Sequence, residues 1–214
     1  MLLWADRAER ISGMMRWLQG TAGREINRRK GREGAFWRDR YHPALIQGGA
    51  HLSRCLFYLG LNMVRAGVVD HPREWACCGY HELVGARRRQ PVLDRDRLLR
   101  CLGMTGAATE FVAWYQATLA DKLSRAQLAR EPIWSECAAV GDRAWVEKLA
   151  GRITGGRKEV ELVRLEEAPD RDRMDEAPAS YGFKLSSRLG RFVAAKAALV
   201  ENRINAVINS CRRA

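Results

Sequence analysis

The chain has 214 residues, 47% of them hydrophobic and 29% charged, enough apolar material for one large domain or a domain with an appendage. Lys and Arg number 37 against 25 Asp and Glu, a formal charge of +12 that points to an anionic partner and excludes an acidic tail protein. No run approaches the roughly 18 uninterrupted apolar residues of a membrane span. Asp6, Arg7, Glu9 and Arg10 interrupt the start before a signal-peptide core forms, so the expectation is a soluble, cytoplasmic protein with no membrane partner.

Cys55, Cys77, Cys78, Cys101, Cys137 and Cys211 contain no CxxC pair, which indicates reduced thiols rather than a disulfide scaffold or a zinc ribbon. His42, His51, His71 and His81 form no HxH or HExxH pair, so no self-contained histidine metal site is expected. Arg heavily outnumbers Lys among the basic residues, which favours forked recognition of phosphate.

Leu2-Leu3-Trp4 reads as the end of a strand running into a helix start. From Ile11 to about Arg29 the apolar positions Ile11, Met14, Met15, Leu18, Ala22 and Ile26 recur at intervals of three and four, which predicts an amphipathic helix with that stripe in a core. Gly31 and Gly34 end it, and Ala35 to Trp37 followed by Tyr41 to Ile46 predicts an extended stretch with a β-strand. From Arg16 to Arg40 eight basic residues stand against three acidic ones, a local charge of +5. A charge run is commonly just a solvated face. Here Phe36, Trp37 and Tyr41 are interleaved with Arg28, Arg29, Lys30, Arg32, Arg38 and Arg40, a composition suited to holding phosphates while stacking bases.

A second helix is predicted from about Gly49 to Arg65, apolar at Leu52, Cys55, Leu56, Leu59 and Val64 and stopped by Gly67. A turn at Pro72 to Trp75, an irregular stretch over Cys77 to Tyr80 and an exposed linker over Gly85 to Gln90 follow. Further helices are expected over Asp94 to Leu102, Thr109 to about Arg130 and Ala144 to Arg152. Residues 154–180 read as a flexible connector around a short strand, Val160 to Leu165, and 181–214 as a C-terminal helix with its periodicity over Leu185 to Cys211.

On the second helix Tyr58 and Asn62 stand four residues apart on one face, with Arg65 within a further turn. That face offers a nucleophile, an oxygen ligand and a phosphate clamp. A tyrosine attacking a phosphodiester must lose a proton with a free pKa of about 10, so it needs a phosphate polarised by a cation. A helical tyrosine is more commonly half-buried with its hydroxyl satisfied.

The run Asn27 to Tyr41, then Tyr58-x-x-x-Asn62-x-Val64-Arg65-Ala66-Gly67-Val68-Val69, then Pro72-x-x-Trp75, resembles the single-tyrosine HUH transposases, most closely the REP-associated tyrosine transposases. The similarity covers roughly residues 2 to 85. It implies an α+β fold, the remnant of a ferredoxin-like domain over 1–88, followed by a mostly helical region over 89–153. In that family the residue at Tyr58 cuts single-stranded DNA and becomes joined to its 5′ phosphate. The residue at Asn62 helps hold Mg2+ or Mn2+, and the basic segment contacts hairpin DNA. The resemblance thus assigns catalysis to Tyr58, metal binding to Asn62, and DNA binding to Arg28, Arg29, Lys30, Arg32, Trp37, Arg38, Arg40, Tyr41 and Arg65.

This sequence departs from the family pattern in three places. The histidine pair that supplies the main metal ligands would precede Met1, together with the first strands. Met63 replaces a usual proline, and Cys77-Cys78 a usual serine pair. The expectation for the chain as given is a protein that binds single-stranded or hairpin DNA, holds no divalent ion tightly and is inactive in nicking. The alternatives are a domesticated binding module, an active enzyme once the missing strand is supplied, and a helical interaction domain. A homodimer is compatible with each.

Overall fold

A computed structural model describes residues 1–85, 91–154, 160–164 and 180–185. It is a mixed α+β structure in two compact units, one built on Met1–Pro43 and the other on Ala44–Leu149 with Glu161–Lys184. The sequence boundary expected near residue 88 falls inside the second unit. Among the described residues no helix is long and apolar enough to cross a membrane.

In the first unit a single long helix, α1 (Ala8–Lys30), carries the structure. Gly31 closes it in the left-handed region at φ 56°, and the amides of Gly31 and Arg32 return to the Arg28 and Asn27 carbonyls, a Schellman-type end that only a residue without a Cβ adopts cheaply. Leu2 to Trp4 form no strand. The apolar stripe expected in a core is not buried either: Met14 and Leu18 are exposed, Ile11, Met15, Ala22 and Ile26 half-buried, and Gly23 is the one buried residue of α1. Periodicity identifies an apolar side of a helix but not what covers it. What covers Gly23 is the returning loop, which packs Phe36 Cβ and the Trp37 indole on it.

The second unit opens with β1 (Leu45–Ile46), shorter than the extended stretch expected, and turns through Gly48-Gly49 into α2 (Ala50–Gly60). That turn needs glycine twice. Gly49 sits at φ 71°, and a Cβ on Gly48 would stand 2.7 Å from the Cys101 carbonyl, which accepts the Gly49 amide. The predicted helix to Arg65 is divided at Leu61, leaving a separate turn, α3 (Asn62–Arg65), before Gly67 at φ 67°. At Gly60, just before the break, the Tyr115 hydroxyl lies 2.7 Å from where a Cβ would be, so no larger residue fits there. A 3₁₀ turn over Pro72–Glu74 and the short α4 (Tyr80–Leu83) follow.

Next come α5 (Arg95–Leu102), whose N-cap Asp94 accepts from the Arg97 amide, and α6 (Ala108–Ser124), which ends six residues earlier than about Arg130. Phe57 of α2 stacks on Tyr115 of α6 at 5.0 Å between centroids, with Phe111 and Trp114 beside them; this aromatic layer joins the two helices. After the short α7 (Ile133–Glu136) the chain forms β2 (Ala139–Gly141), which the sequence did not signal, and then α8 (Arg143–Thr154).

The sheet has strand order β1-β2-β4-β3, with β3 at Val160–Arg164 and β4 at Tyr181–Leu185. β1 runs parallel to β2, Leu45 opposite Ala139, and β2 antiparallel to β4, Ala139 opposite Phe183. The strand β4 corrects the helix expected from 181; the remainder of that segment, the 86–90 part of the linker and most of 154–180 lie outside the described residues. Three of the four strands come from beyond residue 138, so the motif-bearing segment supplies only β1 to this sheet. Ala139, Val140 and Phe183 are fully buried, and Ile133, Cys137 and Val140 form a core cluster with Trp134 and Val163 packed against it.

Gly182 of β4 passes so close to α7 that a Cβ there would meet Cys137 Sγ at 2.6 Å and Ile133 Cγ1 at 2.9 Å. Gly182→Val is therefore expected to destabilise the protein by about 1–3 kcal/mol through overpacking, measured by urea unfolding. Asp142 caps α8 from its side-chain oxygen to the Trp145 amide at 2.7 Å. That bond, followed by one from the Gln47 amide group and by the nearby His51, holds the carboxyl below its usual range. A depressed carboxyl contributes stability above its unfolded pKa and loses it as pH falls through the lower folded value. Asp142→Ala is expected to cost about 1 kcal/mol near neutral pH, and the difference from the parent to shrink in acid, read from melts across pH.

Candidate functional site

The candidate residues fall in separate compact units and are described unit by unit. In the first, the loop after α1 folds back along the helix. Asn27 donates from Nδ2 to the Gly34 carbonyl at 2.9 Å, Trp37 from Nε1 to the Gln19 carbonyl at 2.9 Å, and Tyr41 shares a 3.1 Å hydrogen bond with Ser12. Phe36 meets Trp37 edge to face at 4.8 Å. Each of these three ties is made by a neutral side chain.

The cations between those ties stay in solvent. Arg28, Arg29, Lys30, Arg32, Arg38 and Arg40 are all exposed. Arg28 and Arg29 share the Glu25 carboxylate at 2.9 and 2.6 Å, which holds that carboxyl below its usual range, and Arg38 pairs with Asp39 at 3.0 Å. Exposed pairs of this kind are worth little and exchange readily for another anion. The two aromatics are less available than their sequence suggests: Tyr41 has its hydroxyl engaged, and Trp37, 47% exposed, is pinned at its nitrogen and lies on Gly23. Trp37 can offer a partner one face of its ring.

In the second unit the break after Gly60 sets the Tyr58 site. The Arg65 guanidinium lies over the Tyr58 ring, 3.9 Å from its centroid, donates from Nη2 to the Tyr58 carbonyl at 2.8 Å, and from Nη1 to Asn62 Oδ1 at 3.2 Å. Arg65 Nε is buried with no hydrogen-bond partner, as expected for a group facing a π cloud. Three of the residues assigned by resemblance, Tyr58, Asn62 and Arg65, are thus brought together. Asn62 is exposed, and its amide oxygen serves a guanidinium.

Beside them lies a group that the sequence reading missed. Trp134 of α7 approaches Tyr58 at 6.1 Å between centroids and donates from Nε1 to Glu131 Oε2 at 2.5 Å, while Glu131 pairs with Arg54, one turn before Tyr58, at 3.2 Å. Both partners of that pair are less than a quarter exposed, so their attraction is screened less than a surface pair's. Arg54 and Tyr58 at i and i+4 carry the only local signal. Glu131 and Trp134 lie more than seventy residues away in the chain.

The donor set at Tyr58 does not fit a divalent ion. Mg2+ and Mn2+ take several oxygens with carboxylate or water among them, whereas here one neutral oxygen stands against a guanidinium. Among the described residues no cluster of three or more His, Cys, Asp or Glu side chains is placed to hold a metal. Comparison of the chain with protein-family models, curated proteins and solved structures finds no match.

Arg65→Ala removes two hydrogen bonds and the cation over the ring together, so it is expected to lower stability by about 1–3 kcal/mol. Arg65→Lys recovers less than half of that, because an ammonium cannot span both acceptors while facing the ring. Denaturant unfolding of the two variants against the parent checks both.

Proposed function

We propose that this chain binds single-stranded or hairpin DNA, and that it is related to the single-tyrosine transposases with Tyr58 silent as a nucleophile in the chain as given. The ferredoxin-like derivation of the motif-bearing segment is part of the proposal. The observation that carries it is the group of exposed cations, Arg28, Arg29 and Lys30 in the last turn of α1 and Arg32, Arg38 and Arg40 on the loop that follows, a loop tied back to the helix by neutral side chains. Phosphates bind such a surface by releasing counterions, without first breaking a buried ion pair. The order and spacing of the three sequence motifs support DNA as the polyanion.

Arg65 favours binding over strand cleavage. A guanidinium over the Tyr58 ring already engages the Asn62 oxygen, the one oxygen that the resemblance gives to a metal ion. The same Arg65 is a forked donor, able to turn toward a phosphate at the loss of one contact to Asn62. A transposase activity through a 5′-phosphotyrosine would need oxygen and nitrogen ligands beyond this set.

Equilibrium binding to a hairpin, a single strand and a plain duplex tests the reading. Hairpin or single strand is expected to bind more tightly than duplex, with a log-log salt slope of roughly −3 if about four phosphates are neutralised. Equal affinity for plain duplex, or no salt dependence, overturns it. On a denaturing gel with Mg2+ or Mn2+, no covalent oligonucleotide adduct is expected. A metal-dependent adduct that vanishes in Tyr58→Phe would make the chain an enzyme.

A further inference from the structure

The returning loop of the first unit touches α1 at Ser12, Gln19, Gly23 and Asn27. At about 100° per residue these positions share one side of the helix. Trp17 lies on the opposite side and is 67% exposed, the most exposed tryptophan among those of α1 and its loop. Its helix-surface neighbours at i−4, i−3, i+3 and i+4 are Gly13, Met14, Gly20 and Thr21, so Met14 and Thr21 stand beside the indole, and the Arg24 guanidinium lies over Gly20, 3.4 Å from where a Cβ would be. A Cβ on Gly13 would meet nothing within 4 Å. The side of the indole toward Gly13 is accordingly open to a planar group, and an arginine already stands at the other side.

The charges on this side are regularly placed. Arg10 and Arg24 stand seven residues before and after Trp17, about 10 Å away along the axis on each side, and Arg28 follows one turn beyond Arg24. All three are exposed. Arg10 pairs with the half-buried Asp6 and Arg28 with Glu25, and Arg24 donates to the Thr21 hydroxyl at 3.4 Å. A buried tryptophan is explained by packing; an exposed one between arginines, with glycines cleared around it, is not.

From this placement we infer that the outward side of α1 is a track for single-stranded DNA, in which Trp17 stacks on one base while Arg10, Arg24 and Arg28 hold the phosphates to either side. The inference rests on the proposed DNA binding and names where it occurs. Charge complementarity selects the occupant. A second copy docking by a two-fold axis through Trp17 would set Arg10 of one chain against Arg24 of the other, like charge facing like charge. A plain duplex keeps its base faces stacked and presents no ring to the indole, whereas every unpaired base has one.

The full-length chain with Trp17→Ala, Trp17→Phe, Arg24→Ala and Arg10→Ala tests the track against a fluorescent single-stranded oligonucleotide and its abasic counterpart. Trp17→Ala is expected to bind the single strand roughly 5- to 150-fold more weakly, with an unchanged melting temperature because the side chain is solvated. Trp17→Phe keeps most of the affinity, and the parent loses on abasic DNA what Trp17→Ala loses on normal DNA. Each arginine variant reduces the salt slope by about 0.7. If the parent binds single strands and Trp17→Ala binds them equally well, the track is wrong while the DNA reading stands. If the parent binds no DNA, both fall. If Trp17→Ala changes the sedimentation of the chain but not its DNA affinity, this side is an interface between copies and the inference is overturned.

Discussion

The second unit depends on a pair of hydrogen bonds between residues 95 positions apart. Gln47 donates from Nε2 to the Asp142 carboxylate at 2.5 Å, and its Oε1 accepts the Asp142 amide at 2.6 Å. Gln47 follows β1 and Asp142 follows β2, so this exchange closes the same end of two parallel strands. Ser180 enters β4 at that end too and is hydrogen-bonded at 3.0 Å to the buried His51 in the first turn of α2. Polar groups buried in one place must all be satisfied or each costs a desolvation penalty. Their mutual satisfaction fixes three strand ends and the start of α2 together. Gly141 beside it has no room for a side chain, since a Cβ would meet Gln47 Oε1 and Trp145 at 2.5 Å.

From that seat α2 runs eleven residues, and its length determines where Tyr58 stands. Its buried face packs Phe57 on Tyr115, and burial pushes the Cys55 thiol up to about 12, which keeps it a neutral core group. The next face carries Arg54 and Tyr58 toward Glu131 and Trp134. Tyr115 lies fully buried with an unpartnered hydroxyl, and burial raises its pKa. That hydroxyl lies against Gly60, the last residue of α2, and the turn that follows carries Arg65 over Tyr58.

This dependence explains what the sequence made legible. The helices α1, α5 and α8, the Gly67 stop and the strand at Val160 announce themselves locally, by apolar period, a capping Asp at 94 or a glycine at positive φ. The break at Leu61 does not, because no capping side chain marks it, and the Tyr115 contact at neighbouring Gly60 comes from 55 residues away. Nor does β2, three residues without a pattern, which exists because β1 and β4 pair on either side. At the candidate site, the i, i+3 and i+4 relations of Tyr58, Asn62 and Arg65 placed them together correctly. The guanidinium orientation that joins them is something spacing does not encode. The exposed residues of α1 were misread for the complementary reason, that an apolar stripe carries no information about its cover.

The first unit separates two tasks that a basic segment must reconcile. Fixing a loop lowers the entropy lost when a ligand orders it, but fixing it through its cations would leave them unavailable to phosphate. Here the loop is fixed by an amide, an indole nitrogen and a phenol, at Asn27, Trp37 and Tyr41, and by the glycine at 23 that lets the indole lie against the helix. Within the basic segment, the carboxylates Glu25 and Asp39 pair with cations at the surface. Rigidity thus comes from neutral groups and charge is left to solvent, so the surface is preorganised and still cationic. A segment folded by buried salt bridges would have the same composition and the same net charge, and would offer a polyanion far less.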